Sequence, residues 1–334
     1  MKTRTIGRTD LAVTEFSFGT AALGGLYRAC PRDAAMETLE AAWDEGLRYF
    51  DTAPWYGFGL AERRVGDFLR DRPKGSWVLS SKVGRVMVPV ADDKVPSYGY
   101  VDPLPFDVRY DYSYDGIMRS LELSYTRLGL NRIDILYVHD IGRMTHGDRH
   151  EHYWSQLTEG GGFRALGKLR DEGSTKAVGL GVNEVPVCLD VMRQADIDCI
   201  LLAGRYTLLE QESLPLMDEC ARRGVGIVVA GPFNSGILAG NRKFNYADAP
   251  ADVLARVDAL RAACEEQGIS LQAAALQFPL AHPAVVTIVS GARTAEQITS
   301  NIAWFSETIP ASFWRTLRER GLIAEGAPLP PEAA

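Results

Sequence analysis

The stretch Leu47-Arg48-Tyr49-Phe50-Asp51-Thr52-Ala53-Pro54-Trp55-Tyr56-Gly57 decides how the rest of the chain is read. A short, mostly apolar run, Leu47 to Phe50, ends in a carboxylate, and a phenol follows five residues later. Such a run reads as a buried strand, and a sheet holds the groups just past a strand end rigidly. Pro54 and Gly57 mark a turn that aims Tyr56 back over the strand ends. A phenol has an unperturbed pKa of roughly 10, so it exchanges protons near neutrality only with a cation close by.

The next strand supplies that cation. Trp77-Val78-Leu79-Ser80-Ser81-Lys82-Val83 places a lysine at the end of a buried run, where it requires a partner, and Asp51 is the natural one. A third strand, Ile133 to Val138, runs into His139. Taken singly, a strand-end Asp usually caps, a Tyr packs and a lone His is a satisfied core residue. Placed together at successive strand ends, Asp51, Tyr56, Lys82 and His139 read as one acid/base constellation.

Working outward, residues 2 to 15 suggest a hairpin around Gly7 and Asp10 ahead of a first strand, Phe16 to Gly19. A helix beginning near Asp33 places Met36, Leu39, Trp43 and Leu47 on one stripe. Apolar strands then alternate with amphipathic helices to about residue 305, giving eight β/α units. The eighth-strand closure and the length of 334 residues predict an α/β fold, a single (β/α)8 TIM barrel covering 1–334 as one domain, with a doubly wound sheet as the alternative. No G-x-G-x-x-G follows an early strand, so the usual dinucleotide fold is not expected.

Two connections exceed ordinary barrel loops. The segment 84–112, after the third strand, carries Tyr98, Tyr100, Phe106, Tyr110 and Tyr112, and 140–160, after the fourth, carries Tyr153 and Trp154. Both read as substrate walls or a lid, the alternative being an aromatic rim for packing or assembly. His146, Asp148, His150, Glu151 and His152 lack a defined ligand geometry and read as a solvated face, not a metal site.

Composition narrows function further. The formal net charge is −7 without a basic run, which argues against nucleic acid and anionic membrane surfaces as partners. No stretch approaches the ~20 apolar residues of a membrane span, and the basic N-terminus lacks an apolar segment after it, so a cytoplasmic location is expected. The five cysteines are scattered without C-x-x-C spacing, so free, mostly buried thiols are expected. Oligomeric state is not legible.

These residues resemble the aldo-keto reductase family. The resemblance rests on the quartet Asp51, Tyr56, Lys82 and His139, on Phe-Asp-Thr-Ala-x-x-Tyr-Gly at 50–57, on Glu62, and on Gly291 to Asn301, and it runs from about Gly7 to Ile302. It implies that Tyr56 is the general acid/base, that Lys82 favours its phenolate, that Asp51 holds Lys82, and that His139 holds the oxygen of a small-molecule substrate. It implies no metal. Asn183 matches the asparagine that holds a nicotinamide carboxamide, and Asn301 the adenine contact. Gly231, Pro232, Ser235, Ser290, Gly291, Arg293 and Gln297 fall in the cofactor segments, while Trp55 and Phe233 stand near the substrate and ring. Thr294 with Gln297 forms a capping box, leading 291–294 into a helix N-terminus suited to anionic groups.

Three departures from the family pattern carry expectations. Val182 and Ala203 stand where relatives often carry serine and glutamine, and Ala230 stands where a tyrosine often covers the nicotinamide, a place Phe233 or Trp55 could fill. Gly291 and Gln297 replace a common phosphate-binding lysine and arginine, leaving Arg293 as the nearby cation, so NAD is expected over NADP. Pro54 to Gly57, Val138-His139-Asp140 and Pro232 to Ile237 resemble the sugar 1-dehydrogenase branch, with its D-threo-aldose, L-fucose and L-galactose dehydrogenases and a pyridoxal 4-dehydrogenase. That implies oxidation of a cyclic hemiacetal, an aldose first and pyridoxal second, to a lactone. An NADPH-dependent carbonyl reductase and a non-catalytic cofactor-binding subunit are the readings outside this class.

Overall fold

A computed structural model of the chain describes residues 1–245 and 247–331. Eight parallel strands close into one barrel: β1 (Phe16–Gly19), β2 (Tyr49–Asp51), β3 (Val78–Val83), β4 (Ile135–His139), β5 (Ala177–Val182), β6 (Cys199–Ala203), β7 (Gly226–Ala230) and β8 (Val285–Gly291). Each neighbours the next in sequence, and β8 returns to β1. Every residue of β3 and β5 is buried, because helices cover the outer face while side chains fill the interior. The barrel expectation is met; the doubly wound alternative is not.

Register sets the site. Asp51 pairs with Ser80, Lys82 with Tyr137 and His139 with Gly181, so the carboxyl ends of β2, β3 and β4 emerge on one rim. A Cβ on Gly181 would stand 3.2 Å from Lys82 Cε; glycine leaves the lysine its channel. At the opposite end the expected hairpin, Thr3–Thr5 with Ala12–Thr14, brings Ile6, Leu11 and Val13 against Tyr49, Val78, Ile135 and Val286 and closes the barrel floor.

The connections hold more order than their composition suggests. In the first, Arg85–Pro89 and Phe106–Tyr110 form an antiparallel hairpin. The second folds into helices Arg143–His146 and His150–Leu157; Asp148, Glu151 and His152 are exposed as expected, and the expected solvated face is corrected at His146 and His150, which are buried. Their rings pack with Tyr110, Tyr112, Tyr153 and Trp154, because the loop aromatics form an apolar face that a helix can cover. Among the described residues no group of three or more potential ligands is arranged to hold a metal ion. The helix Ala311–Glu319, which buries Phe313, Trp314 and Leu317, was not anticipated. Leu47 lies beyond the end of the helix Arg32–Asp44, in the core ahead of β2. All five cysteines are free and buried.

Candidate active site

At the carboxyl rim a cleft of about 1270 Å³ opens over Asp51, Tyr56, Lys82 and His139. Lys82 is its centre. Nζ donates to Asp51 Oδ1 and Oδ2 at 2.9 and 2.8 Å, to the Thr52 carbonyl at 3.0 Å, and lies 3.1 Å from Tyr56 OH. Both members of the ion pair are buried, at 1% and 3% side-chain exposure. An isolated charge at that depth would cost several kcal/mol, so the carboxylate and the carbonyl together are what keep the ammonium in place.

Asp51 is fixed from below. Ser80 Oγ donates to its Oδ1 at 2.7 Å, and Tyr49 OH donates to Ser80 Oγ at 3.0 Å, so a polar ladder within the barrel interior aligns the carboxylate. Tyr56 is aimed by the predicted turn: its amide donates to the Ala53 carbonyl at 3.1 Å, and its own carbonyl accepts from Ala61 at the start of the next helix. Gly57 has φ +63°, and a Cβ there would stand 2.3 Å from the Gly24 carbonyl. The turn therefore requires glycine to dock on the loop after β1.

His139 meets Tyr56 edge to face, ring centroids 6.2 Å apart. Burial, then the charges of Arg85 and Lys82, push its pKa well below the usual value, so the imidazole is neutral and serves as a hydrogen-bonding group. Its Nε2 lies 3.5 Å from Asp140 Oδ2, whereas Nδ1 is buried without a partner among the described residues. The carboxylate favours the tautomer protonated at Nε2. Tyr112 OH donates to the His139 carbonyl at 2.8 Å and pairs with His146 Nε2 at 2.9 Å, anchoring the strand end.

Two groups that the sequence reading did not single out complete this end. Arg85, the first residue after the Gly84 turn, is buried and bonds Asp140 Oδ2 at 2.6 Å. Asp140 Oδ1 accepts from Asn183 Nδ2 at 3.2 Å. One carboxylate thus touches Arg85, His139 and Asn183. An arginine directly after the glycine that ends the lysine strand was the available signal.

The other expected residues separate into two sets. Trp55, Asn183, Gly231 and Gly291 line the cleft with Asp51, Tyr56, Lys82 and His139, as do the small residues Gly181, Val182, Ala203 and Ala230. Phe233 is not on those walls; it packs edge-on against Trp304, ring centroids 6.3 Å apart, leaving Trp55 as the aromatic residue of the two that faces the cleft. Pro232, Asn301 and Ser290 are buried beside the shelf, and Asn301 Nδ2 donates to Ser290 Oγ at 3.4 Å. Ser235 has φ +59° in the turn after β7. Thr294 caps the helix Ala295–Phe305 by accepting from Gln297 N, and Gln297 Oε1 accepts from Arg293 N at 2.8 Å, close to the predicted capping box. The Arg293 guanidinium turns away, donating to the carbonyls of Leu26 and Arg28 at 2.7 and 2.6 Å and approaching that of Ala22 at 3.4 Å.

This shelf suits a nicotinamide dinucleotide. A Cβ on Gly231 or Gly291 would meet no atom nearer than 3.9 or 3.6 Å, so open backbone faces the cleft, flanked by an amide side chain and a capped helix N-terminus.

The aldo/keto reductase family pattern matches residues 15–320. The chain is 52% identical to the pyridoxal 4-dehydrogenase of Microbacterium luteolum over 96% of its length and 98% of that protein's. It is 40% identical to a Pseudomonas D-threo-aldose 1-dehydrogenase over 94% and 95% of the two chains. In fold it is similar to the holo form of an aldo-keto reductase from Bacillus halodurans, with a TM-score of 0.74, 24% identity and 96% of each chain covered. The chain belongs to the aldo/keto reductase family. It is an NAD(P)-dependent oxidoreductase of small molecules, and among its described residues no helix is long and apolar enough to cross a membrane.

Proposed function

We propose that this enzyme oxidises a cyclic hemiacetal to its lactone with NAD, with pyridoxal as the first substrate and an aldose such as L-fucose or another D-threo-aldose as the second. The observation that carries the chemistry is the 3.1 Å approach of Lys82 Nζ to Tyr56 OH, with Asp51 behind the lysine. Tyr56 takes the proton of the hemiacetal hydroxyl, Lys82 stabilises the phenolate that receives it, and Asp51 keeps Lys82 charged and aimed. Neutral His139 donates to the same oxygen and fixes which face of the carbon is presented. A nicotinamide held at Asn183 would supply the hydride acceptor for that carbon. Loss of O–H and C–H from one hemiacetal leaves a C=O, which is the lactone.

The cofactor would be held by Asn183 at the carboxamide, along Gly231, Pro232 and Ser235, and by Ser290, Gly291, Arg293, Gln297 and Asn301 at the adenosine end. NAD is favoured because Gly291 and Gln297 bring no charge and the guanidinium of Arg293, the arginine of that segment, is committed to backbone carbonyls, which leaves the segment without a free charge-assisted donor for a 2′-phosphate. Pyridoxal is placed first because Trp55, Tyr98 and Tyr110 give the cleft an aromatic wall suited to an aromatic substrate and because of the 52% likeness to a pyridoxal dehydrogenase.

The test is NADH formation from pyridoxal, L-fucose and other aldoses, each with NAD and with NADP, and identification of the product by mass spectrometry. The expected product is the lactone in every productive pair. NADPH-dependent aldehyde reduction outrunning all oxidations would establish the carbonyl reductase in its place, and cofactor binding without turnover would establish the regulatory subunit.

A further inference from the structure

Arg85 has no part in the proton transfer just described, yet it lines the cleft beside it. Its guanidinium carbon stands 4.5 Å from the Trp55 ring and 5.5 Å from the Tyr110 ring, and Trp55 immediately precedes Tyr56. Its Nη2 and His139 Nε2 approach the same Asp140 oxygen, at 2.6 and 3.5 Å. A single carboxylate therefore separates the cation from the imidazole that meets the reacting oxygen. A guanidinium carries a fork of several donors; Asp140 takes one, and Nε is buried without a partner among the described residues.

A purely structural role accounts poorly for the pair. A buried ion pair gains little over apolar packing of the same volume. This one also places Asp140, without glycine's freedom, in the left-handed region at φ +47°, a strain that concentrates at functional sites.

We propose that Arg85 is a specificity-determining residue that donates to an anionic oxygen on the ring carbon adjacent to the one that bears the reacting carbon. The inference rests on the hemiacetal reading above and narrows its substrate class to 3-hydroxypyridines. In pyridoxal the ring hydroxyl sits on the carbon adjacent to the one bearing the aldehyde, and the electron-poor ring makes it an anion near neutrality. A neutral aldose offers only an uncharged hydroxyl there. Trp55 and Tyr110 pack against the guanidinium, and Asp140 orients the fork.

The experiment compares kcat/KM for pyridoxal with that for 3-deoxypyridoxal, which forms the same cyclic hemiacetal without the 3-hydroxyl of the pyridine, in wild type, Arg85→Met and Arg85→Lys. Wild type should favour pyridoxal by about tenfold to hundredfold, the range of one charge-assisted hydrogen bond. The ratio should fall to about one in Arg85→Met and lie between in Arg85→Lys, which keeps the charge without the fork. Because a folding defect lowers both rates, the ratio isolates recognition, and Arg85→Lys supplies it if Arg85→Met does not fold. A wild-type ratio near one, or a ratio unchanged by both variants, overturns the assignment while leaving hemiacetal oxidation intact. Oxidation of neither compound overturns this inference, and the hemiacetal reading falls with it only if L-fucose and the other aldoses are not oxidised either.

Discussion

The floor of the cleft and the Gly291–Asn301 segment treat charge in opposite ways. On the floor, Asp51 and Lys82 are buried against each other and reach Tyr56. Along 291–301 open backbone at Gly291 leads into a capped helix start, Glu296 is exposed to solvent, and the one arginine is drawn into the carbonyls of the loop after β1. Proton transfer needs a charge that is desolvated and held at a fixed distance, because its effect grows as water is excluded. Holding a dinucleotide needs shape and donors, which backbone supplies without a buried ion.

The largest effect that would break this comparison lies on the floor. Tyr56→Phe should lower kcat by about 10² to 10⁴ with NAD affinity, read by fluorescence titration, altered by less than about twofold. Retention of more than about a tenth of the wild-type rate would remove Tyr56 from the proton-transfer role.

Lys82→Met should be comparably inactive and Asp51→Asn less so, since Asp51 acts through the lysine. Asp51→Asn strands a buried ammonium and should lose about 3–5 kcal/mol of stability in urea titration. Equal activity of these two variants and wild type would mean that the pair is structural alone.

A smaller effect sharpens the other side. NAD should be favoured over NADP by at least about tenfold in kcat/KM, one charge-assisted contact to phosphate being worth about 1.5–3 kcal/mol. Arg293→Ala should shift that preference by less than about threefold, because the guanidinium serves the loop. A selective loss of NADP use in this variant would show that the arginine turns to the phosphate.

The smallest effect is on stability. Burial, then the charges of Arg85, His150 and Arg149, push His146 down to about 4, and His139 is shifted the same way. Unfolded histidines bind protons from about pH 6.5 downward, so the unfolded state takes up protons first. Stability is fully present above pH 6.5 and declines as the pH falls towards 4. Denaturant midpoints at pH 7 and 4.5 should show the decline, and His146→Gln should make it shallower.

The sequence determined the eight strands, the closed barrel and the residues at its strand ends. Buried parallel strands are continuous apolar runs, and a charge that interrupts such a run announces itself: Lys82 could be paired with Asp51 before any coordinates. The capping box at Thr294 was legible for a similar reason, being a local hydrogen-bond pattern three residues long. Only the tertiary structure decided which groups meet across loops. Arg85 and Asp140 are 55 residues apart, and nothing local marks either as the other's partner. Phe233 reads like a ring cover from its neighbours, yet Trp304, from a helix 71 residues on, turns it aside. His146 and His150 look solvated by composition and are buried because Tyr110, Tyr112 and Tyr153 assemble a face for the one and Trp154 for the other. Likewise the charge of Arg293 could be counted from the sequence, but its direction was set by carbonyls more than 260 residues upstream, since a long cation points to whichever acceptors the folded chain brings within reach.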